Sequence, residues 1–192
     1  MNLTNVFGIN VEEQFLEWFN GEFATEFAER FPDKGMTLIV LDGDEPITIM
    51  ENWETPLNFT LITAHLGDEE AAIAADGTED NVVGKLRFCL RTMMDSAEAE
   101  RRPDLVREGD FPHEGAGEYK GYYGGVSGLK KEEDWEIFCR CVDKLIELLA
   151  AVNSAAIAKA DELREQEDCP RGTKYLNGIS LAADKPDDAN AA

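Results

Sequence analysis

An α+β fold is predicted for this 192-residue chain, and three observations carry the prediction. First, apolar and aromatic residues recur at helical spacing from Val11 to Phe31. Second, short apolar or aromatic runs bounded by glycine, proline or aspartate follow at Met36–Leu41, Ile47–Met50, Asn58–Leu66 and Tyr119–Val126, as strands require. Third, the stretches opening at Asn81 and at Glu132 return to a period of three to four. The apolar fraction of 43% is enough for a core, and the length suits one domain, taken as residues 1–182 with 183–192 as a mobile acidic tail.

The first helix is expected over Asn10–Phe31, with Asn10 as cap and Glu13 reaching back to it in a capping box. Val11, Phe15, Trp18, Phe19, Phe23, Phe27 and Phe31 make its core face, and Pro32 with Asp33-Lys34-Gly35 ends it. Met36–Leu41 reads as a buried strand, Ile47–Met50 as its hairpin partner, and Asn58–Leu66 as a third strand with His65 as a polar residue near its end. Gly67–Glu79 reads as a surface helical turn or a loop. The next helix follows, with Asp80 as cap and Val82, Leu86, Cys89, Leu90, Met93 and Met94 as its stripe. Pro103–Gly117 is an ordered connection. Tyr119–Val126 is one strand, Gly128 breaks it, and Glu132, Glu133 and Asp134 crowd the first turn of a long helix. Trp135, Phe138, Val142, Leu145 and Leu149 form that helix's stripe, which continues toward Gln166 with a bend at Asn153-Ser154. Tyr175–Leu181 adds an edge strand or a packed loop.

Forty acidic residues against 18 basic ones give a formal charge of −22. Such a surface repels phosphates and anionic lipid, so neither nucleic acid nor a membrane is an expected partner, and the plain reading is a strongly charged, well-solvated surface. The N-terminus lacks a signal-peptide pattern, and no apolar run reaches the length of a membrane span, so a cytoplasmic location is expected. Cys89, Cys139, Cys141 and Cys169 form no Cys-x-x-Cys and read as reduced thiols. His65 and His113 stand apart, so no metal site is assigned.

Neither a phosphate loop nor a dinucleotide fingerprint occurs. Gly125-Val126-Ser127-Gly128 falls short of the Gly-x-Ser-x-Gly elbow, and no catalytic residue is assigned. Its glycines suit close backbone packing or an amide nest for an anion. Lys85, Arg87, Arg91, Arg101 and Arg102 make the region after Asn81 basic, either balancing acidic neighbours or forming an anion-binding face.

Gly125-Val126-Ser127-Gly128-Leu129 followed by Glu132-Glu133-Asp134 resembles the Val-Ser-Gly-Leu … Glu-Glu-Asp segment of the GlcG/HbpS-like family. That family includes heme-degrading or heme-binding domains and the C-terminal domain of PduO-type proteins, and the likeness is nearest to its uncharacterised cytosolic branch. Asp80-Asn81 opens the matching helix, Arg87 stands at its arginine position, and His113-Glu114-Gly115 is the counterpart of a His-Gly-Gly motif. Phe88 replaces the family's lysine and Gly84 its tryptophan. The stretch from His113 to Ser127 is shorter than the family hairpin, and Asn52–Gly77 reads as an insertion. The likeness spans Met36–Leu149. It implies a profilin-like antiparallel sheet of about five strands with helices packed on it, a homo-oligomer, and a heme, corrinoid or other small acidic ligand. The implied ligand-binding residues are His113, Arg87, Asp80, Asn81, Ser127, Gly125 and Gly128, with His113 the implied heme ligand. An oligomeric scaffold with an acidic docking face, and an enzyme acting on a small metabolite, are the alternatives.

Overall fold

The computed structural model describes residues 10–41, 60–75 and 77–165. Its elements in chain order are helix α1 (Val11–Trp18), a π-helical segment (Phe19–Phe23), α2 (Ala24–Arg30), strand β1 (Gly35–Leu41), β2 (Thr60–Gly67), α3 (Glu69–Ala74), α4 (Glu79–Thr92), α5 (Ala97–Arg101), a 3-10 turn (Pro103–Leu105), β3 (Ala116–Tyr119), β4 (Tyr122–Ser127) and α6 (Lys131–Glu165). The class is α+β, with a four-stranded antiparallel sheet among the described residues, in the order β2-β1-β4-β3. The expected strand Ile47–Met50, the Tyr175–Leu181 segment and the acidic tail lie outside the described residues.

Helices cover both faces of this sheet, which is why every residue of the central strand β1 is buried. Met36, Leu38 and Val40 pack with Phe15, Phe19, Phe23 and the α6 residues Ile137, Phe138 and Val142 on one face. Ile39 and Leu41 meet Val82, Leu86 and Leu90 of α4 on the other.

The first helix starts as expected, with Asn10 Oδ1 accepting from Glu13 N–H at 3.3 Å. Its core residues Val11, Phe15, Phe19, Phe23, Phe27 and Phe31 are spaced by four throughout, and all are buried. At 3.6 residues per turn, each step of four over-rotates by about 40°. The π-helical turn at Phe19–Phe23 is wider and offsets part of that drift, keeping the six side chains on the sheet.

Three expectations need correction. Asp80 is not the cap of α4; Thr78 is, in extended conformation with its side chain accepting from Asn81 N–H, and Asp80 lies exposed inside the first turn. An extended backbone and a hydroxyl oxygen three residues before the donor amide are what a cap needs, and Thr78 has both. Thr78→Ala is therefore expected to lower stability by about 1 kcal/mol in urea denaturation, with Asp80→Ala much closer to wild type. Second, α4 ends at Thr92. Met93 takes a left-handed conformation (φ 56°), and Met93 and Met94 are exposed instead of completing the stripe. Arg101 and Arg102 consequently belong to the separate α5 and its end.

Third, the single strand Tyr119–Val126 is a hairpin. Lys120 and Gly121 form its two-residue turn with φ of 51° and 87°, the primed-turn geometry that matches strand twist, and Tyr119 pairs with Tyr122. In β2 the inward residues are Ile62 and Ala64, whereas Thr63 and His65 are exposed. Gly67–Glu79 contains α3, capped by Asp68. Helix α6 runs on through Asn153-Ser154 without interruption. Among the described residues no helix is long and apolar enough to cross a membrane.

Candidate functional site

Strand β4 ends at Ser127, opposite Thr37 of β1, and the chain then turns sharply at Gly128 (φ 128°) into α6. Lys85 projects from α4 into this corner. It lies three residues after Val82 and four before Cys89, on the buried face of its helix, so its ammonium must be satisfied internally. Nζ donates to Val126 O at 2.9 Å and to Asp134 Oδ2 at 3.0 Å, and both side chains are almost fully enclosed. The other oxygen of Asp134 accepts from Leu129 N–H at 3.0 Å. The pair thus ties the helix on one face of the sheet to the helix on the other, through the end of β4.

Burial pushes the Asp134 carboxyl up to about 6, opposed by the Lys85 charge and hydrogen bond and by the Leu129 amide. The carboxyl remains ionised at neutral pH with the ammonium as its partner. Above the pair lies a cavity of about 360 Å³, whose walls include Lys85, Asp134, Ser127, Gly128, His113 and Phe111. His113 stacks edge-on against Phe111, with centroids 4.6 Å apart, and its Nδ1 is 3.6 Å from Glu100 Oε1. Glu100 also pairs with Lys131, another wall residue. A neighbouring cavity of similar size shares Ala75, Gly128, Leu129 and Lys130 with the first and adds Arg30 and Lys34. Five basic residues of a chain that has 18, Arg30, Lys34, Lys85, Lys130 and Lys131, therefore border one turn.

Of the residues singled out from sequence, His113, Ser127 and Gly128 are brought together here. Gly125 is not a wall residue. It faces β3, where a Cβ would sit 2.5 Å from Ala116 Cβ and 2.7 Å from Gly115 O, so its role is close strand packing. Asp80 and Asn81 stand at the start of α4, away from the cavity walls. Arg87 also lies off the cavity. Its guanidinium runs beside Gly109, and its buried Nε has no hydrogen-bond partner among the described residues. Sequence reasoning missed Asp134 and Phe111 and placed Lys85 only within a general basic face, although a lysine within the apolar period of α4 was a usable signal for it.

No family model matches the chain, and no curated protein or solved structure is significantly similar to it. The cavity itself must therefore speak for the ligand. Heme needs broad apolar walls against both faces of the macrocycle. Of the twelve residues lining the cavity of His113, only Ala75, Phe111 and Leu129 are apolar, so the residues present do not fit a porphyrin. They fit a small polar molecule, since Lys85, Lys130 and Lys131 share the walls with Glu114, Glu132 and Asp134.

Proposed function

We propose that this chain is a small-molecule-binding protein whose anionic ligand sits at the Ser127–Lys131 turn. The clustering of Lys85, Lys130, Lys131 and His113 on one cavity, beside Glu114, Glu132 and Asp134, in a chain of net charge −22, carries the reading. Ammonium groups bind carboxylates by charge-assisted hydrogen bonds, and an imidazole N–H can donate a further one. The membership suggested by the likeness to the GlcG/HbpS-like family is part of the proposal, as are a profilin-like fold with a further strand, self-association and a cytoplasmic location. The antiparallel sheet with long helices at both ends of the domain supports the fold reading.

Titration with succinate, followed by calorimetry, is expected to show saturable binding. Lys130→Gln and His113→Ala should each weaken it about tenfold, the effect of losing one hydrogen bond involving a charged group. Absence of saturable binding, or affinity unchanged in both variants, would refute the anion reading. A saturable Soret band with hemin that disappears in His113→Ala would reassign the ligand to heme.

One observation favours a second reading, an enzyme acting on a small metabolite. A carboxyl raised to about 6 beside a buried lysine, in a cavity wall, has the environment used for general acid–base chemistry. Turnover of a screened carboxylate with a pH dependence that disappears in Asp134→Asn would select it.

A further inference from the structure

A further cavity, of about 570 Å³, lies between the end of β2 and the starts of α3 and α4. Its hydrogen bonding is determined by a single proton. Thr37 is buried, and its Oγ1 is 2.7 Å from Gly77 O and 2.9 Å from His65 Nδ1. A carbonyl oxygen only accepts, so the one hydroxyl proton of Thr37 goes to Gly77. The hydroxyl oxygen must then accept, and His65 Nδ1 must carry a hydrogen. In the neutral ring this leaves Nε2 as an acceptor on an exposed residue, open to solvent or a ligand. Gly77 is held firmly at its end of this relay, since a Cβ there would sit 2.8 Å from Gly128 Cα and 2.9 Å from Ala72 O.

The rest of the wall offers acceptors as well. Glu69 from the start of α3 and Glu79 from the start of α4 line the cavity, and among the described residues no lysine or arginine does. The hydroxyl of Thr78, also in the wall, already caps α4. Met36, Leu66 and Ile73 supply apolar surface beside these groups. We infer that this cavity is a second ligand site, for a small alkylammonium molecule that donates hydrogen bonds to His65 Nε2 and to the two carboxylates. The site is independent of the anion cavity in its chemistry, and it uses the acidity of the chain where the other works against it.

Two-bond 1H–15N correlation spectra at a pH where the ring is neutral test the relay, with His113→Gln assigning the two histidines. His65 is expected to show the Nδ1–H tautomer, the minor form of free imidazole side chains in water. Thr37→Ser should keep it, and Thr37→Val should return the ring to Nε2–H. Titration of the wild-type protein with 1,4-diaminobutane is expected to shift the His65 nitrogens saturably, with affinity reduced about tenfold in Glu79→Gln. An Nε2–H tautomer in the wild-type protein overturns the proposal without recourse to any variant. So does the lack of a saturable shift, or an equal shift with sodium chloride at matched ionic strength.

Discussion

Replacing Lys85 by methionine is expected to lower stability by about 3–5 kcal/mol, because it leaves the Asp134 carboxylate buried without its counter-ion. Methionine fills similar space, so the loss reports the charge more than a cavity. Adding Asp134→Asn to the same chain should recover most of the deficit, since the amide oxygen can still accept from Leu129 N–H while the buried charge is gone. The single variant should also change how stability depends on pH. In the wild-type protein Asp134 holds its proton up to about 6 in the folded state, above its ordinary value of 3.8. Its contribution is therefore fully present below the unfolded value and is lost as pH rises through about 6. Removing Lys85 removes the influences that pull this value down, so in the variant the loss continues to higher pH. The gap between the two proteins in urea denaturation should accordingly be wider at about pH 8 than at about pH 5. A gap independent of pH would mean that Asp134 is not the group exposed by the substitution.

Gly128→Ala is the second substitution expected to have a large effect. With φ at 128°, the residue sits where an L side chain is strained, and a Cβ would run into the Gly35 carbonyl oxygen and lie 2.9 Å from Met36 Cα. Backbone strain and overpacking together are expected to lower stability by roughly 3 kcal/mol or more. The obstruction is backbone of the central strand, which cannot rotate away as a side chain would. Gly21→Ala is the opposite case. It lies exposed within the first helix with nothing within 4 Å of its Cβ position, so alanine there should raise stability by about 0.5–1 kcal/mol. Thermal or denaturant unfolding of the two variants side by side separates these signs.

The candidate cavity is partly legible in the sequence. His113, Ser127 and Gly128 were selected on their motif positions, and they do border one space. Arg87, Asp80 and Asn81 were selected from the same likeness, but they stand on other parts of α4. A helix turns its residues through all directions, and one stretch of it cannot send every polar residue to the same wall. Lys85 was grouped with Arg87 as part of a basic helix, although its place in the apolar period distinguishes it. The hairpin was lost for a different reason. Tyr119 to Val126 reads as one aromatic and β-branched run, and the turn inside it is marked only by Lys120-Gly121, which lacks the usual asparagine or aspartate.

What the sequence by itself determined is the set of local elements: the capped aromatic helix from Asn10, the buried strand Met36–Leu41, the glycine break at Gly128 and the acidic first turn of the last helix. These follow from spacing, capping and turn chemistry, which act over a few residues. Tertiary structure alone decided the strand order and the joining of Lys85 to Asp134 across 49 positions. It also decided the junction of Thr37 with His65 and Gly77, which sets the proton on the imidazole. Those contacts join residues far apart in the chain, and no local period encodes them. They exist because burying the two faces of one sheet brings the ends of its strands and helices to the same corner.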